Sequence, residues 1–125
     1  MIVRTILVVD DEWAIADWLH SLLTDEGYRV LIAANGKRAL ELLTEYNPDV
    51  LLTDVMMPVM DGPALLGALK SAGSVAFPIV VMSSLPEPAA TQRIDGHAAF
   101  LRKPFRESEL LHTLHRVLDQ NGPDN

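Results

Sequence analysis

Five short apolar runs, each followed by a stretch of helical spacing, constrain this chain more than any other feature. Residues 5–9 (TILVV), 29–33 (RVLIA), 50–53 (VLLT), 78–82 (PIVVM) and 98–102 (AAFLR) read as strands. They are near-continuously apolar and do not alternate, as expected of strands covered on both faces. Between the first two, Ile15, Trp18, Leu19, Leu22 and Leu23 fall at i, i+3, i+4, i+7 and i+8, one face of a helix that ends at Gly27. Asn35 is placed to cap a second helix that turns Ala39, Leu40 and Leu43 inward before Asn47-Pro48 stops it. Asp61 is placed to cap a third helix over 63–72, and a last helix over 106–119 buries Leu110, Leu111, Leu114, Val117 and Leu118. Residues 84–97 carry Pro86 and Pro88, so the fourth helix is expected to be short and irregular, about 87–94. Repeated β-then-α units require parallel strands, right-handed crossovers and helices on both faces. The predicted fold is therefore α/β, a doubly wound (βα)5 unit around a five-stranded parallel sheet.

With 125 residues the chain holds one core, over 1–121, followed by a polar tail at 122–125 that is expected to fray. No apolar run approaches the length of a membrane span, so no membrane insertion is expected. The N-terminal apolar stretch ends in three acids where a secretory cleavage site would need small residues. There is no cysteine, which excludes disulfides and thiolate metal sites, and a cytoplasmic location fits. The net charge of −7, without a run of Lys or Arg, argues against direct binding to nucleic acid.

Ligands of open parallel sheets sit beyond the carboxyl ends of the strands. Asp10, Asp11, Asp54, Ser83 and Lys103 stand at those ends, and the fold would bring them to one edge. Clustered carboxylates repel one another unless a cation neutralises them. Oxygen ligands without His or Cys suit Mg2+. An ammonium and a hydroxyl would complete a cradle for a phosphoryl group. Singly, each residue has an ordinary explanation. Asp10-Asp11-Glu12 could be an acidic helix cap, Asp54 and Ser83 turn residues, Lys103 a surface lysine and Phe100 plain core. His20, His97, His112 and His115 show no ligand spacing with a carboxylate and read as solvated or packing residues.

The order VVDDE, TDVMMPVMDG, PIVVMSS and FLRKPF resembles the receiver domain of two-component response regulators, the CheY-like family. The resemblance runs the length of the chain and implies strand order 2-1-3-4-5. It makes Asp54 the phosphoacceptor. It implies a Mg2+ site from Asp10, Asp11, Asp54 and the backbone carbonyl of Met56. Lys103 and Ser83 would contact phosphoryl oxygens, Phe100 would be the switch aromatic, and the Lys103–Pro104 bond would be cis. The implied partners are a sensor histidine kinase or histidine phosphotransfer protein and a downstream target or output domain, reached through the fourth helix, fifth strand and fifth helix. A homodimer is compatible with the sequence. The implied role is a signalling switch and not an enzyme.

Two alternatives use the same acidic residues. A Mg2+-dependent aspartyl-phosphate phosphohydrolase needs an acid two residues after its nucleophile, where this chain has Met56. A degenerate receiver used only for docking is disfavoured by the intact acidic and lysine set. The chain departs from the commonest pattern in carrying Ser83 for Thr and Phe100 for Tyr. Its segment between Ser83 and Lys103 is also short, and its last helix lacks the arginine-rich pattern of the winged-helix branch. Met56 and Leu85 cannot orient a water, which implies slow self-dephosphorylation.

Overall fold

The computed structural model describes residues 2–73 and 75–120; the tail expected at 122–125 lies outside them. Strands β1 (Thr5–Val9), β2 (Arg29–Ala33), β3 (Val50–Asp54), β4 (Ile79–Ser83) and β5 (Ala99–Arg102) alternate with helices α1 (Trp13–Asp25), α2 (Gly36–Leu43), α3 (Gly62–Ser71), α4 (Glu87–Ala90) and α5 (Glu107–Gln120). The strands form one sheet in the order β2-β1-β3-β4-β5, every neighbouring pair parallel. This is the predicted doubly wound topology.

Alternation along each strand splits the core into two layers. Ile6, Val8, Leu52, Val80 and Met82 face α1 and α5, where Leu19, Leu23, Leu110 and Leu114 cover them. Leu7, Val9, Leu51 and Val81 face the other way and pack with Ala39, Leu65, Leu66, Ala90 and Ile94. Nearly all of these side chains are fully withdrawn from water, and burial of each Leu, Ile, Val or Met stabilises the fold by about 1.5–3 kcal/mol before conformational entropy is counted.

Local chemistry sets the helix ends. Asn35 Oδ1 accepts from the Arg38 N–H and Asp61 Oδ1 from the Ala64 N–H, the two caps expected from sequence. Gly27 adopts a φ of +93°, the left-handed closure expected after α1. The Lys103–Pro104 bond is cis, also as expected.

Four expectations need correction. In α1, Leu19 and Leu23 are buried and Ile15 and Leu22 pack against the same core as expected, joined by Ala16, but Trp18 is left 40% exposed. Trp18 sits at the border of the helix–sheet contact and leans on Phe105, ring centroids 5.8 Å apart. β4 runs one residue later than predicted, so Ser83 is its last residue and does not lie beyond it. α4 is only Glu87–Ala90, because Pro86 and Pro88 fix its start and the chain turns at Thr91. Finally, His97 does have a carboxylate neighbour: its Nε2 lies 3.2 Å from Glu87 Oε2. The separation of ten positions hid this pair from any reading of local spacing.

The acidic pocket at the carboxyl edge

The central strands β1 and β3 end side by side, with Val9 in register with Thr53. The next residues along, Asp10 and Asp54, therefore emerge together at the carboxyl edge, only 2% and 8% exposed. Neither carboxylate is adrift. Asp10 Oδ1 accepts from the Glu12 N–H at 2.9 Å, and the Asp10 N–H donates to the Ala33 carbonyl at 3.0 Å. Asp54 Oδ1 accepts from the Val55 N–H at 2.8 Å. One oxygen of each carboxylate is thereby fixed by backbone, and the other faces the pocket.

Lys103, just past β5, fills the space between them. Its Nζ lies 2.7 Å from Asp10 Oδ2, 3.0 Å from Asp54 Oδ2 and 3.3 Å from Glu12 Oε1. The backbone supports this reach, since the Lys103 N–H donates to the Ser83 carbonyl at 2.8 Å. Oxygens of Asp10, Glu12 and Asp54 all lie within 4.8 Å of one another. One ammonium against three carboxylates leaves an excess of negative charge. Burial, together with the Asp10 charge, pushes the Asp54 carboxyl above its ordinary value despite the opposing pull of Lys103. Burial draws the Lys103 ammonium down, but its bonds to Asp10 and Asp54 outweigh that and hold it above the usual lysine range. Both directions express the same excess.

Such an all-oxygen set fits a hard divalent cation, whose charge would balance what Lys103 leaves over. Glu12 is the member that sequence reasoning overlooked. The triplet Asp10-Asp11-Glu12 was its only signal. Glu12 occupies the N-cap position of α1 but makes no side-chain cap bond, so the acids are not a simple helix cap. Asp11 is exposed and lies outside the close group.

The other expected residues border the pocket. Ser83 is buried at the end of β4, one step beyond the register partner of Asp54, and its Oγ accepts from the Leu85 N–H at 3.1 Å. Phe100 is half-buried on the α2–α3 face of the sheet and pairs with Val81 in register. Met56, whose carbonyl was expected to serve the metal, has a strongly exposed side chain. After it the chain turns tightly: the Met60 N–H donates to the Pro58 carbonyl at 2.7 Å across Val59, whose φ is +68°. Two glycines brace this loop. A Cβ on Gly62 would come within 2.7 Å of the Asp54 carbonyl oxygen, and one on Gly36 within 2.7 Å of Met60 Cγ.

Comparison with known proteins places the whole arrangement. The family description "Response regulator receiver domain" matches residues 6–115. The chain is 36% identical over 124 residues to the response regulator MprA of Mycolicibacterium vanbaalenii, covering 96% of this chain and 52% of that protein. Its identity to MprA of Mycobacterium leprae is also 36%, over 53% of that protein's length. The chain thus spans about half the length of the curated relatives it matches. Among solved structures, the chemotaxis response regulator CheY4 of Vibrio cholerae superposes with a TM-score of 0.85 at 34% identity, over 93% of this chain and 99% of that one. NtrX from Brucella abortus, solved with ADP, gives a TM-score of 0.86 at 29% identity over 96% of this chain and 28% of that one. By fold, pocket and sequence, this chain belongs to the response regulator receiver domain family of two-component systems.

Proposed function

We propose that the chain is the phosphoacceptor of a histidine-to-aspartate phosphorelay, with Asp54 as the residue modified. The observation that carries this reading is the Lys103 ammonium held 3.0 Å from Asp54 Oδ2 above the buried Asp10. Asp54 Oδ2 is the pocket-facing oxygen and the natural nucleophile. It attacks the phosphorus of a phosphohistidine on a sensor kinase or histidine phosphotransfer protein. The new O–P bond forms as the N–P bond breaks, and the imidazole leaves. Lys103 needs only a small shift to follow the phosphoryl oxygens, so charge neutralisation is built in before the reaction.

Asp10, Glu12 and Asp54 are the residues placed to hold Mg2+, with Asp11 and the Met56 carbonyl as further expected ligands. When bound, the ion supplies Lewis-acid neutralisation of the phosphoryl oxygens. An apolar groove of about 480 Å3 opens beside Lys103, lined by Ile15, Trp18, Pro104 and Phe105, and offers a protein partner a route to the pocket.

The phosphoryl dianion would draw the Ser83 hydroxyl away from the Leu85 N–H and free space for Phe100 to turn inward. The surface of α4, β5 and α5 would then present a changed face to a target or output domain. This makes the chain a cytoplasmic signalling switch and not a multiple-turnover enzyme, since Met56 stands where a phosphohydrolase needs its second acid.

The test is incubation with Mg2+ and an acyl phosphate or phosphoramidate, followed by intact-mass measurement. Wild type should gain one phosphoryl group and Asp54→Ala none. Equal labelling of the variant overturns the assignment.

A further inference from the structure

Asn35 and Gly36 form the joint between β2 and α2, and both reactive groups of that joint are occupied. The backbone of Asn35 is extended, with φ −163° and ψ 174°, and its Oδ1 accepts from the Arg38 N–H at 3.0 Å. The Gly36 N–H donates to the Met60 carbonyl at 2.9 Å. Gly36 is buried, and a Cβ there would also come within 2.8 Å of the Met60 oxygen. The joint therefore abuts the far end of the loop that leaves Asp54. Asparagine before glycine is the dipeptide least hindered toward cyclisation, because glycine puts no side chain in the path of its own nitrogen. Asn47, the other asparagine among the described residues, precedes Pro48, whose nitrogen carries no proton to lose.

We infer that Asn35–Gly36 is a deamidation site that the fold holds shut through Met60, and that its isoaspartyl product unclamps the loop after Asp54. The Gly36 nitrogen gives up its proton to solvent base and bonds to Asn35 Cγ. The Cγ–Nδ2 bond breaks, and Nδ2 takes up a proton and leaves as ammonia. Water then opens the resulting five-membered succinimide. Attack at Cγ restores the backbone and yields aspartate; attack at the Asn35 backbone carbonyl carbon yields isoaspartate. One water is consumed for each ammonia released. Neither step begins until the Gly36 N–H leaves Met60 and the Asn35 side chain leaves Arg38. The aspartyl product keeps the cap. The isoaspartyl product routes the main chain through Cβ and Cγ, which removes the cap and adds a methylene where Gly36 already touches Met60.

The test follows Asn35 in the full chain at mildly alkaline pH, natively and in urea, by separating aspartyl and isoaspartyl peptides with liquid chromatography and mass spectrometry. Asn35 should deamidate in urea and at least about 30-fold more slowly when folded, the factor for opening two net hydrogen bonds of about 1 kcal/mol each. Met60→Gly loosens the loop without altering the reacting dipeptide. It should speed the native reaction about threefold and leave the urea rate unchanged. Hydrogen exchange gives a reading that needs no variant: the Gly36 amide should be protected at least as strongly as the reaction is slowed. The isoaspartyl form, made in urea and refolded, should exchange faster than wild type across residues 55–61, whereas Asn35→Asp should not. A native rate equal to the urea rate, an unprotected Gly36 amide, or unchanged exchange across the loop in the isoaspartyl form overturns the inference.

Discussion

Lys103 Nζ and Asp54 Oδ2 lie 3.0 Å apart across 49 positions of sequence, and Asp10 Oδ2 lies closer still to the same ammonium. The lysine is thus the internal counter-ion of a pocket that holds more negative charge than it can balance.

Removing that counter-ion should cost more than removing one of the carboxylates it serves. In chelator-treated protein at neutral pH, Lys103→Met is expected to lower unfolding free energy by about 3 kcal/mol, because two buried carboxylates lose their cation. Asp54→Asn should be neutral or stabilising, since burial already disfavours its charge. In a double-mutant cycle by urea denaturation, Asp54→Asn should recover at least about 1 kcal/mol of the Lys103→Met loss. Additive effects would mean that the two groups do not share one electrostatic site.

Supplying a divalent cation should act in the opposite sense. Mg2+ at roughly a hundredfold excess over its Kd should stabilise the wild type by about 2.7 kcal/mol through binding linkage alone. Asp10→Asn and Asp54→Asn should each remove most of that gain. Trp13 stands at the start of α1 just beyond the acids, so its fluorescence offers a direct titration. A midpoint that Mg2+ leaves unmoved in wild type would contradict metal binding at this pocket.

Val59 holds a left-handed backbone that a β-branched residue tolerates poorly, at a strain of order 1 kcal/mol. Its side chain is 77% exposed, so little packing is lost on replacement. Val59→Asn is therefore expected to raise stability by about 0.5–1 kcal/mol with the pocket unchanged. A fall in the urea midpoint would show that the turn is not strained as described.

Alkaline stability should depend on Tyr28. Burial, aided by Glu26 and Asp119 and opposed by Arg4, raises its phenol above the ordinary value of 10.0. A raised value in the folded state means that folding favours the protonated phenol. The associated stability is complete below pH 10 and is lost as pH climbs through the folded value. The gap between wild type and Tyr28→Phe should consequently shift in favour of the variant above pH 10, when denaturation is followed by far-UV circular dichroism. Parallel curves would assign the alkaline loss to other groups.

The parallel sheet and its edge constellation were legible because strands covered on both faces must be apolar and must end in whatever the ligand requires. The runs TILVV and VLLT, followed directly by Asp10 and Asp54, carry both signals in adjacent letters. Glu12 was not legible in that way, because its role depends on the direction taken by the first residues of α1. Trp18 misled because helical period fixes the spacing of a stripe but not its centre, which the facing sheet decides. The His97–Glu87 pair depends on how a four-residue helix folds back toward β5, and no local pattern encodes that return.

The pocket draws one corner from β1, one from β3 and the last from beyond β5, 93 positions after the first. A nascent chain that has emerged only as far as α4 already carries Asp10 and Asp54 but lacks the Lys103 ammonium and the closing edge strand. The acidic pocket therefore gains its balancing cation only when the sheet is complete, so its electrostatics depend on the last-made edge of the fold.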